Sequence, residues 1–306
     1  MPVEIAGLVF KNPLIVASGI SALSQKMFDK FDKNGAGAIV SKSISLFPRE
    51  GYNNPSVFDI SENSYINAVG LANPGVEYFK KEISQNKTPL IVSLVGSEAN
   101  DFTMMIEQLN KLDIIGYELN LSCPHVERMG LELGDDPIAV DKIIKSIKLC
   151  TGKPLFVKIG IGNSNIIKIA KIAENAGADG ITAINTVRAM KINTDTGFPV
   201  LDNKIGGLSG LSIKPIGIRS VYELKKSVGI PIIGCGGIMN HLDVLEYLMA
   251  GASAVQLGSV IGIRGLDTFS KILTGLKQYM KRKKYKDISE IIGISQEVKS
   301  SSYCPI

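Results

Sequence analysis

The chain has 306 residues, of which 45% are hydrophobic and 21% are charged, so it can bury a sizeable core and we expect one domain over 1–306. No apolar run approaches the roughly 18 residues that span a bilayer, and the first residues lack the basic-then-apolar pattern of a signal peptide; both observations argue against a membrane protein and favour the cytoplasm. The net charge of +5 is densest at 281–286, and because no basic stripe recurs elsewhere, this run predicts a solvated helix end rather than a nucleic-acid surface.

The cysteines of the chain are Cys123, Cys150, Cys235 and Cys304, and they are widely spaced. The sequence has no Cys-x-x-Cys pair that could hold zinc or an iron–sulfur cluster. We therefore expect no metal site in this chain.

The predicted elements begin with a hairpin over 3–13, with Gly7 at its turn, in a position to cover one end of the fold. Eight apolar runs rich in Ile and Val predict buried parallel strands over 14–18, 38–41, 90–95, 117–121, 155–159, 180–184, 231–234 and 254–257. Helical patterns lie between them, and the clearest places Ile166, Ile169 and Ala173 on one face. Alternating strands and helices pair through right-handed crossovers, so the pattern predicts an α/β fold, a (β/α)8 TIM barrel with an N-terminal hairpin.

Two segments lie outside this alternation. The stretch from Thr186 to Ile213 is rich in Gly, Asn and Asp and is longer than an ordinary connection, so we interpret it as a functional excursion over the carboxyl-terminal face of the barrel. The segment 281–306 is polar, and we expect a partly disordered tail there.

Glycine-bearing loops follow the last two predicted strands. The seventh strand leads into Gly234-Cys235-Gly236-Gly237-Ile238, and the eighth leads into Gly258-Ser259. Loops at these positions of a barrel commonly bind phosphate, because bare backbone N–H groups can surround an anion. Lys42 and Lys158 end the second and fifth strands at the same rim, where two cations would neutralise a phosphorylated, electron-rich ligand.

A candidate catalytic thiol follows the fourth predicted strand. Cys123 lies in the run Asn120-Leu121-Ser122-Cys123-Pro124-His125, and a loop containing Gly130 and Gly134 comes next as a predicted lid. The alternative interpretation is a small buried hydrophobic residue, which is what most free cysteines are. The lysines, asparagines and glycines that end the other strands favour a catalytic role at the carboxyl end of the barrel.

Taken together, these motifs resemble the dihydroorotate dehydrogenase family. The likeness runs from about Val3 to Gly265 and rests, in family order, on Ser41-Lys42-Ser43, Asn67-Ala68-Val69-Gly70-Leu71-Ala72-Asn73-Pro74-Gly75, Asn120 to His125, Val157-Lys158, Ile184-Asn185-Thr186, Gly206-Gly207-Leu208-Ser209-Gly210, Gly236-Gly237 and Gly258-Ser259. Few other families show this set together.

The resemblance implies FMN in the barrel mouth, with the last four of the following residues on its phosphate: Ser18, Lys42, Ser43, Asn120, Lys158, Ile184, Gly210, Gly236, Gly237, Gly258 and Ser259. A lysine beside the pyrimidine edge of a flavin would stabilise the negative charge that develops on reduction, and Lys158 is the candidate. The same likeness assigns to dihydroorotate the residues Lys42, Asn67, Ala68, Val69, Gly70, Leu71, Asn120, Asn185 and Thr186. Asparagine suits a ring with two imide groups because its amide both donates and accepts.

The resemblance also implies a reaction, the oxidation of (S)-dihydroorotate to orotate in pyrimidine biosynthesis. Cys123, as thiolate, would remove the C5 proton while a hydride passes from C6 to the flavin N5. The cysteine base and the stretch from Met190 to Gly210 resemble class 1B enzymes, which pass electrons to a second subunit that carries FAD and a 2Fe–2S cluster and reduces NAD. That likeness implies a homodimer of this chain within a heterotetramer that holds two electron-transfer subunits.

Two residues depart from the family pattern. His125 stands where many relatives have a substrate-binding asparagine, and its protonation would make substrate affinity depend on pH. Ser93 stands where many class 1B members have a flavin-contacting asparagine.

Two alternative functions stay open at this point. One is a flavoenzyme like dihydropyrimidine dehydrogenase that acts on uracil or thymine, whose motif is similar around Cys-Pro-His and the following residues 127–130. The other is a non-catalytic phosphate-binding barrel, because a fold alone does not fix a function.

Overall fold

The computed structural model describes residues 1–20, 23–121, 131–162 and 165–297. The strands in these ranges are β1 (Val3–Ile5), β2 (Leu8–Phe10), β3 (Leu14–Val16), β4 (Ala38–Val40), β5 (Val57–Ser61), β6 (Ser64–Asn67), β7 (Leu90–Leu94), β8 (Gly116–Asn120), β9 (Leu155–Ile159), β10 (Gly180–Ala183), β11 (Val187–Ala189), β12 (Gly206–Gly210), β13 (Ile232–Cys235) and β14 (Ala254–Leu257). The helices are α1 (Gln25–Lys33), α2 (Val76–Glu82), α3 (Ala99–Leu109), α4 (Leu131–Asp135), α5 (Pro137–Cys150), α6 (Ile166–Asn175), α7 (Lys214–Lys225), α8 (His241–Ala250), α9 (Ser259–Arg264), α10 (Thr268–Lys283) and α11 (Ile294–Glu297), with 3-10 turns at Leu211–Ile213 and Ile288–Ile291.

A closed parallel barrel forms the centre of the molecule. Its strands follow one another around the ring in the order β3, β4, β7, β8, β9, β10, β13 and β14, and β14 pairs back to β3. The predicted barrel is therefore confirmed, and the first and last residues of each of its eight predicted strands lie within two positions of the observed bounds. The barrel strands are buried on both faces, as parallel strands covered by helices must be.

Capping residues close by in the sequence set where the helices around the barrel begin and end. In α6, the Asn165 side chain accepts hydrogen bonds from the N–H groups of Ile167 and Lys168, and the predicted apolar face is buried. Helix α8 ends at Ala250, and the next residue, Gly251, has a φ of 119°, a left-handed conformation that favours glycine. Such signals are local in sequence, and for this reason they are readable without the structure.

The ends of the chain pack against the barrel core. Strands β1 and β2 form the predicted antiparallel hairpin, and its residues Ile5 and Phe10 are buried. At the other end, α10 carries the basic run into solvent, whereas Ile288 and Ile291 beyond it are buried in the main core. The Gln296 side chain donates to the carbonyl oxygens of α7 and α8. The described part of the polar segment is thus docked on the barrel; residues 298–306 lie outside the described residues.

A second, antiparallel sheet covers the carboxyl-terminal ends of the barrel strands, and we call it the cap sheet. Its strand order is β11, β12, β6 and β5, so it combines the predicted excursion after β10 with a segment between β4 and β7. Ile66, Ala68 and Leu201 form a small apolar cluster of its own. In the described part of the chain, no helix is both long and apolar enough to cross a membrane.

Candidate active site

A cavity of about 460 Å³ lies between the carboxyl-terminal ends of the barrel strands and the cap sheet. All of the residues that the resemblance assigns to a flavin line this cavity: Ser18, Lys42, Ser43, Asn120, Lys158, Ile184, Gly210, Gly236, Gly237, Gly258 and Ser259. Of the residues assigned to the substrate, those that line it are Lys42, Asn67, Val69, Gly70, Leu71, Asn120, Asn185 and Thr186. Ala68 is instead packed in the small cluster of the cap sheet. The structure brings the predicted residues to one place, and their individual roles stay predictions.

The loop after β13 has a backbone that only glycine adopts readily. Gly236 and Gly237 have φ angles of 122° and 69°. A Cβ atom at Gly237 would lie 2.7 Å from the Lys214 Cβ and 2.8 Å from the Gly210 carbonyl oxygen, so a side chain has no room there. The loop therefore presents bare backbone to the cavity, which suits the close approach of an anion.

Side chains from α7, α8 and α9 hold this loop in place. The buried carboxylate of Asp243 accepts hydrogen bonds from the N–H groups of Met239 and Asn240 and pairs with the Lys214 ammonium at 2.7 Å. Arg264, at the end of the helix that follows Gly258, donates to the Met239 carbonyl oxygen at 3.1 Å. The two predicted phosphate loops are thus fixed to one another before any ligand binds.

Four polar side chains form a hydrogen-bonded chain that leads from the segment after β10 into the barrel. Asn185 Nδ2 donates to Asn120 Oδ1 at 3.2 Å, and Asn120 Nδ2 donates to Ser43 Oγ at 3.1 Å. Ser43 Oγ in turn lies 3.0 Å from Ser93 Oγ, which is fully buried. Ser93, one of the two departures from the family pattern, therefore supports Ser43. Because each amide has a fixed partner, the donor and acceptor ends of Asn120 are already oriented.

A buried cation comes from the neighbouring strand β9, where Lys158 is the register partner of Asn120. Lys158 is 3% exposed, and its Nζ donates to Ser18 Oγ and to Gln256 Oε1, both at 3.2 Å. Gln256 donates from its other end to the carboxylate of Glu118, which also accepts from Thr182 at 2.9 Å. A positive charge buried at the mouth of a barrel, with hydrogen-bond partners below it, is suited to an electron-rich ligand above it.

The predicted base Cys123 and the neighbouring His125 and Gly130 lie outside the described residues. Strand β8 ends at Asn120, which lines the cavity, three positions before Cys123 in the sequence. The described thiol in the cavity is Cys235, and it is a poor candidate base. Burial raises its pKa, the charge of Lys158 only partly offsets this, and the charge of Glu118 raises it further.

Sequence reasoning missed several residues of this site. Gln256 and Glu118 belong to the buried polar chain below Lys158, while Tyr65 and Met239 line the cavity. The first two carried a signal in the sequence, since each is a polar residue inside a strand that is buried along its whole length. The other two come from a cap strand and a loop, where no such pattern exists. Among the described residues, no cluster of His, Cys, Asp and Glu is arranged to hold a metal ion.

Comparison with known proteins gives a consistent result. The family model for dihydroorotate dehydrogenase matches residues 1–280. The catalytic subunit of dihydroorotate dehydrogenase B (NAD(+)) from Pyrococcus furiosus is 42% identical over 298 residues, which cover 97% of this chain and 99% of the relative. The subunit of the same name from Thermoplasma volcanium is 44% identical over 294 residues, 95% of this chain and 97% of the relative. The one from Methanocaldococcus jannaschii is 39% identical over 302 residues, with 96% and 97% covered. This chain belongs to the dihydroorotate dehydrogenase family.

Proposed function

We propose that this chain oxidises (S)-dihydroorotate to orotate, with FMN bound in the barrel mouth, as the catalytic subunit of an NAD-linked dihydroorotate dehydrogenase. The observation that carries the proposal is one cavity that combines a glycine-built anion loop, a buried cation and a pair of oriented amides. Membership of the family favours this function over a dihydropyrimidine dehydrogenase-like activity and over a non-catalytic barrel.

The cavity fits FMN on two independent grounds. The phosphate end of FMN would lie on the bare backbone of Gly236 and Gly237, where any Cβ at Gly237 would collide with neighbouring atoms. Its electron-rich pyrimidine edge would lie on the buried ammonium of Lys158, whose charge is otherwise expensive to bury. Ser43 and Asn120 line the same cavity.

The substrate side fits a small imide ring that carries a carboxylate. Asn67, Asn120 and Asn185 offer amides that both donate and accept, as the two imide groups require. Lys42 lines the same region and supplies a cation for the carboxylate. A dihydropyrimidine has no carboxylate to pair with this cation, so the site favours dihydroorotate.

The residues of this chain would supply the proton transfer. Cys123, as thiolate, removes the proton from substrate C5, and the C–H electron pair becomes part of the new C5=C6 double bond. The chemistry that FMN would supply when bound is acceptance of the hydride that leaves C6. The oriented amides of Asn120 and Asn185 hold the ring so that both hydrogens leave in fixed directions.

The electrons then leave this chain for a partner subunit. We propose a partner that carries FAD and a 2Fe–2S cluster and reduces NAD, in a heterotetramer built on a homodimer of this chain. Support comes from the names of the relatives, which are catalytic subunits of NAD(+)-linked enzymes. The cytoplasmic location stays a prediction.

The visible spectrum of the purified protein tests the proposal. We expect a yellow protein whose flavin absorbance is bleached when dihydroorotate is added without oxygen and is unaffected by dihydrouracil. Bleaching by dihydrouracil instead would favour the dihydropyrimidine activity. A protein that binds no flavin, or a flavin that neither compound bleaches, would contradict the proposed function.

A further inference from the structure

The buried carboxylate of Glu118 has no role in the function proposed so far. Glu118 is fully buried in β8, two positions before Asn120 on the same strand, so it faces the barrel interior one layer below the cavity. Its Oε2 accepts hydrogen bonds from Gln256 Nε2 and from Thr182 Oγ1, whereas its Oε1 is buried without a partner among the described residues. A buried carboxylate that is only half satisfied destabilises a fold, so its presence needs an explanation.

The explanation lies in the side chain between Glu118 and Lys158. The amide of Gln256 has one donating end and one accepting end, and it can lie either way round. A carboxylate can only accept and an ammonium can only donate, so Gln256 must turn its NH2 group to Glu118 and its oxygen to Lys158. Without the carboxylate, the reversed amide would place an NH2 group against the ammonium.

The charges of Lys158 and Glu118, on either side of Gln256, also complement one another. Lys158 and Glu118 are both buried, and both act on the Cys235 thiol in the same region, where the charge of Lys158 lowers the thiol pKa and that of Glu118 raises it. The negative charge lies on the inner side of the ammonium, while the cavity lies on its outer side. The carboxylate thus compensates the ammonium from the inner side, and the Gln256 side chain, which lies between the two charges and bonds to both groups, fixes the position of the ammonium.

We infer that Glu118 is a positioning residue which, through Gln256, fixes the Lys158 ammonium at the edge of the cavity where the flavin's pyrimidine edge binds. The inference rests on the proposed function, because it needs FMN in this cavity. It assigns Glu118 no contact with flavin or substrate.

Flavin affinity and the flavin spectrum test this inference in the full-length protein. We expect Glu118→Gln to raise the Kd for FMN at least tenfold, because the new amide can donate or accept and no longer fixes Gln256. The visible absorption bands of the bound flavin should move in the same direction as in Lys158→Gln. The matched control is Thr182→Val, which removes the other hydrogen bond to Glu118 and a 3.5 Å contact with Gln256. It keeps the two hydrogen bonds that connect Glu118 to Lys158 through Gln256. Its Kd should stay within twofold of wild type.

A double-mutant cycle shows whether Glu118 acts through Gln256. Gln256→Met should weaken FMN binding at least as much as Glu118→Gln, and the double variant should bind no more weakly than Gln256→Met. If Gln256→Met fails to fold, the double variant, which carries no buried carboxylate, can still be compared with Glu118→Gln. Its flavin absorption bands should then be displaced as they are in Glu118→Gln.

Three results would overturn the inference: Glu118→Gln binding FMN within twofold of wild type, unchanged flavin bands in Glu118→Gln, or additive losses in the double variant. Wild-type protein decides the proposed function separately. If it binds FMN and dihydroorotate bleaches it, a negative result in the variants counts against the role of Glu118 alone; if it binds no FMN, both proposals fail.

Discussion

The hydroxyl of Tyr247 donates a hydrogen bond to the carbonyl oxygen of Gly236 at 2.7 Å, which ties helix α8 to the loop that faces the cavity. The tyrosine ring occupies space left by two glycines, since a side chain at either Gly217 or Gly234 would collide with it. One buried side chain thereby fixes the end of β13, the start of α7 and the backbone of the predicted phosphate loop.

Removing this hydroxyl should loosen the loop. We expect Tyr247→Phe to lower the free energy of unfolding by about 1 to 3 kcal/mol, because the Gly236 carbonyl loses its buried donor, and to weaken FMN binding severalfold. Urea unfolding and FMN titration measure the two effects. Tyr222→Phe is the control, since the Tyr222 hydroxyl accepts from Lys226 at the surface and its loss should change stability by less than about 0.5 kcal/mol. Equal effects in the two variants would contradict the role given to Tyr247.

A methyl group in the glycine loop should block the flavin. Gly237→Ala places a Cβ at a left-handed φ and within 2.8 Å of the Gly210 carbonyl oxygen, so we expect at least a tenfold rise in the Kd for FMN. Gly152→Ala is the matched control, because a Cβ there meets nothing within 4 Å. Fluorescence titration of FMN with each variant provides the measurement, and tight binding by Gly237→Ala would show that the phosphate lies elsewhere.

The predicted base should control flavin reduction but not flavin binding. We expect Cys123→Ala to bind FMN normally and to reduce it at least about a hundredfold more slowly with dihydroorotate, as loss of a general base requires. Stopped-flow absorbance follows this step. In wild type the rate should rise with pH towards the ordinary thiol pKa of about 8.5, because only the thiolate accepts a proton. Cys150→Ala changes a half-buried thiol on α5 and serves as control. Near-normal flavin reduction in Cys123→Ala would remove this residue from the mechanism.

The stability contributed by Lys214 should depend on pH. Burial alone would lower its pKa, but hydrogen bonds to Asp243 and Glu246, together with their charges, raise it above the ordinary value. A raised pKa in the folded state means that the stabilisation is complete below the ordinary pKa of about 10.4 and is lost as pH rises through the folded value. Lys214→Met should therefore cost about 1 to 2 kcal/mol at pH 7, and the difference should shrink above about pH 10.

Thermal unfolding of both proteins from pH 7 to 11 tests this prediction. Lys271→Met is the control, because Lys271 and its partner Asp267 are both mostly exposed, so the pair contributes less than about 1 kcal/mol. A stability gap for Lys214→Met that widens with rising pH would contradict the assignment.

The barrel was predictable because its signals are local. Buried parallel strands are continuous apolar runs, and the residues that begin and end the helices, such as Asn165 and Gly251, act within one turn. Only part of the cap sheet could be predicted from the sequence. The excursion after β10 stands out by its length, whereas β6 joins the sheet by pairing with β12, far away in sequence, and β5 joins it through β6. Long-range pairing leaves no periodic trace in either segment.

The candidate site divides in the same way. Lys158 and the glycine pairs stand at strand ends, a position that topology alone brings to the barrel mouth. Tyr247 and Asp243 lie within helix α8, and nothing in the sequence indicates that they reach back to the loop after β13. Ala68 adjoins Asn67, which lines the cavity, yet the pleat of the chain turns it into the cluster of the cap sheet.

The two halves of the cavity differ in how firmly they are anchored. Apart from Gly210 on β12, the residues predicted to bind the flavin belong to the barrel strands and the segments that follow them, whereas Asn67, Val69, Gly70 and Leu71, which are predicted to bind the substrate, belong to the cap sheet and the segment after β6. The apolar cluster of the cap sheet has only three buried members among the described residues, and the hydrogen bond from Ser212 to Ser64 of β6 joins residues 148 positions apart. Regions with little buried apolar surface open at lower free energy than the core around which they are built. Mild urea should therefore abolish discrimination between pyrimidines while the protein is still yellow, and amide hydrogen exchange should be faster in β5 and β6 than in β9.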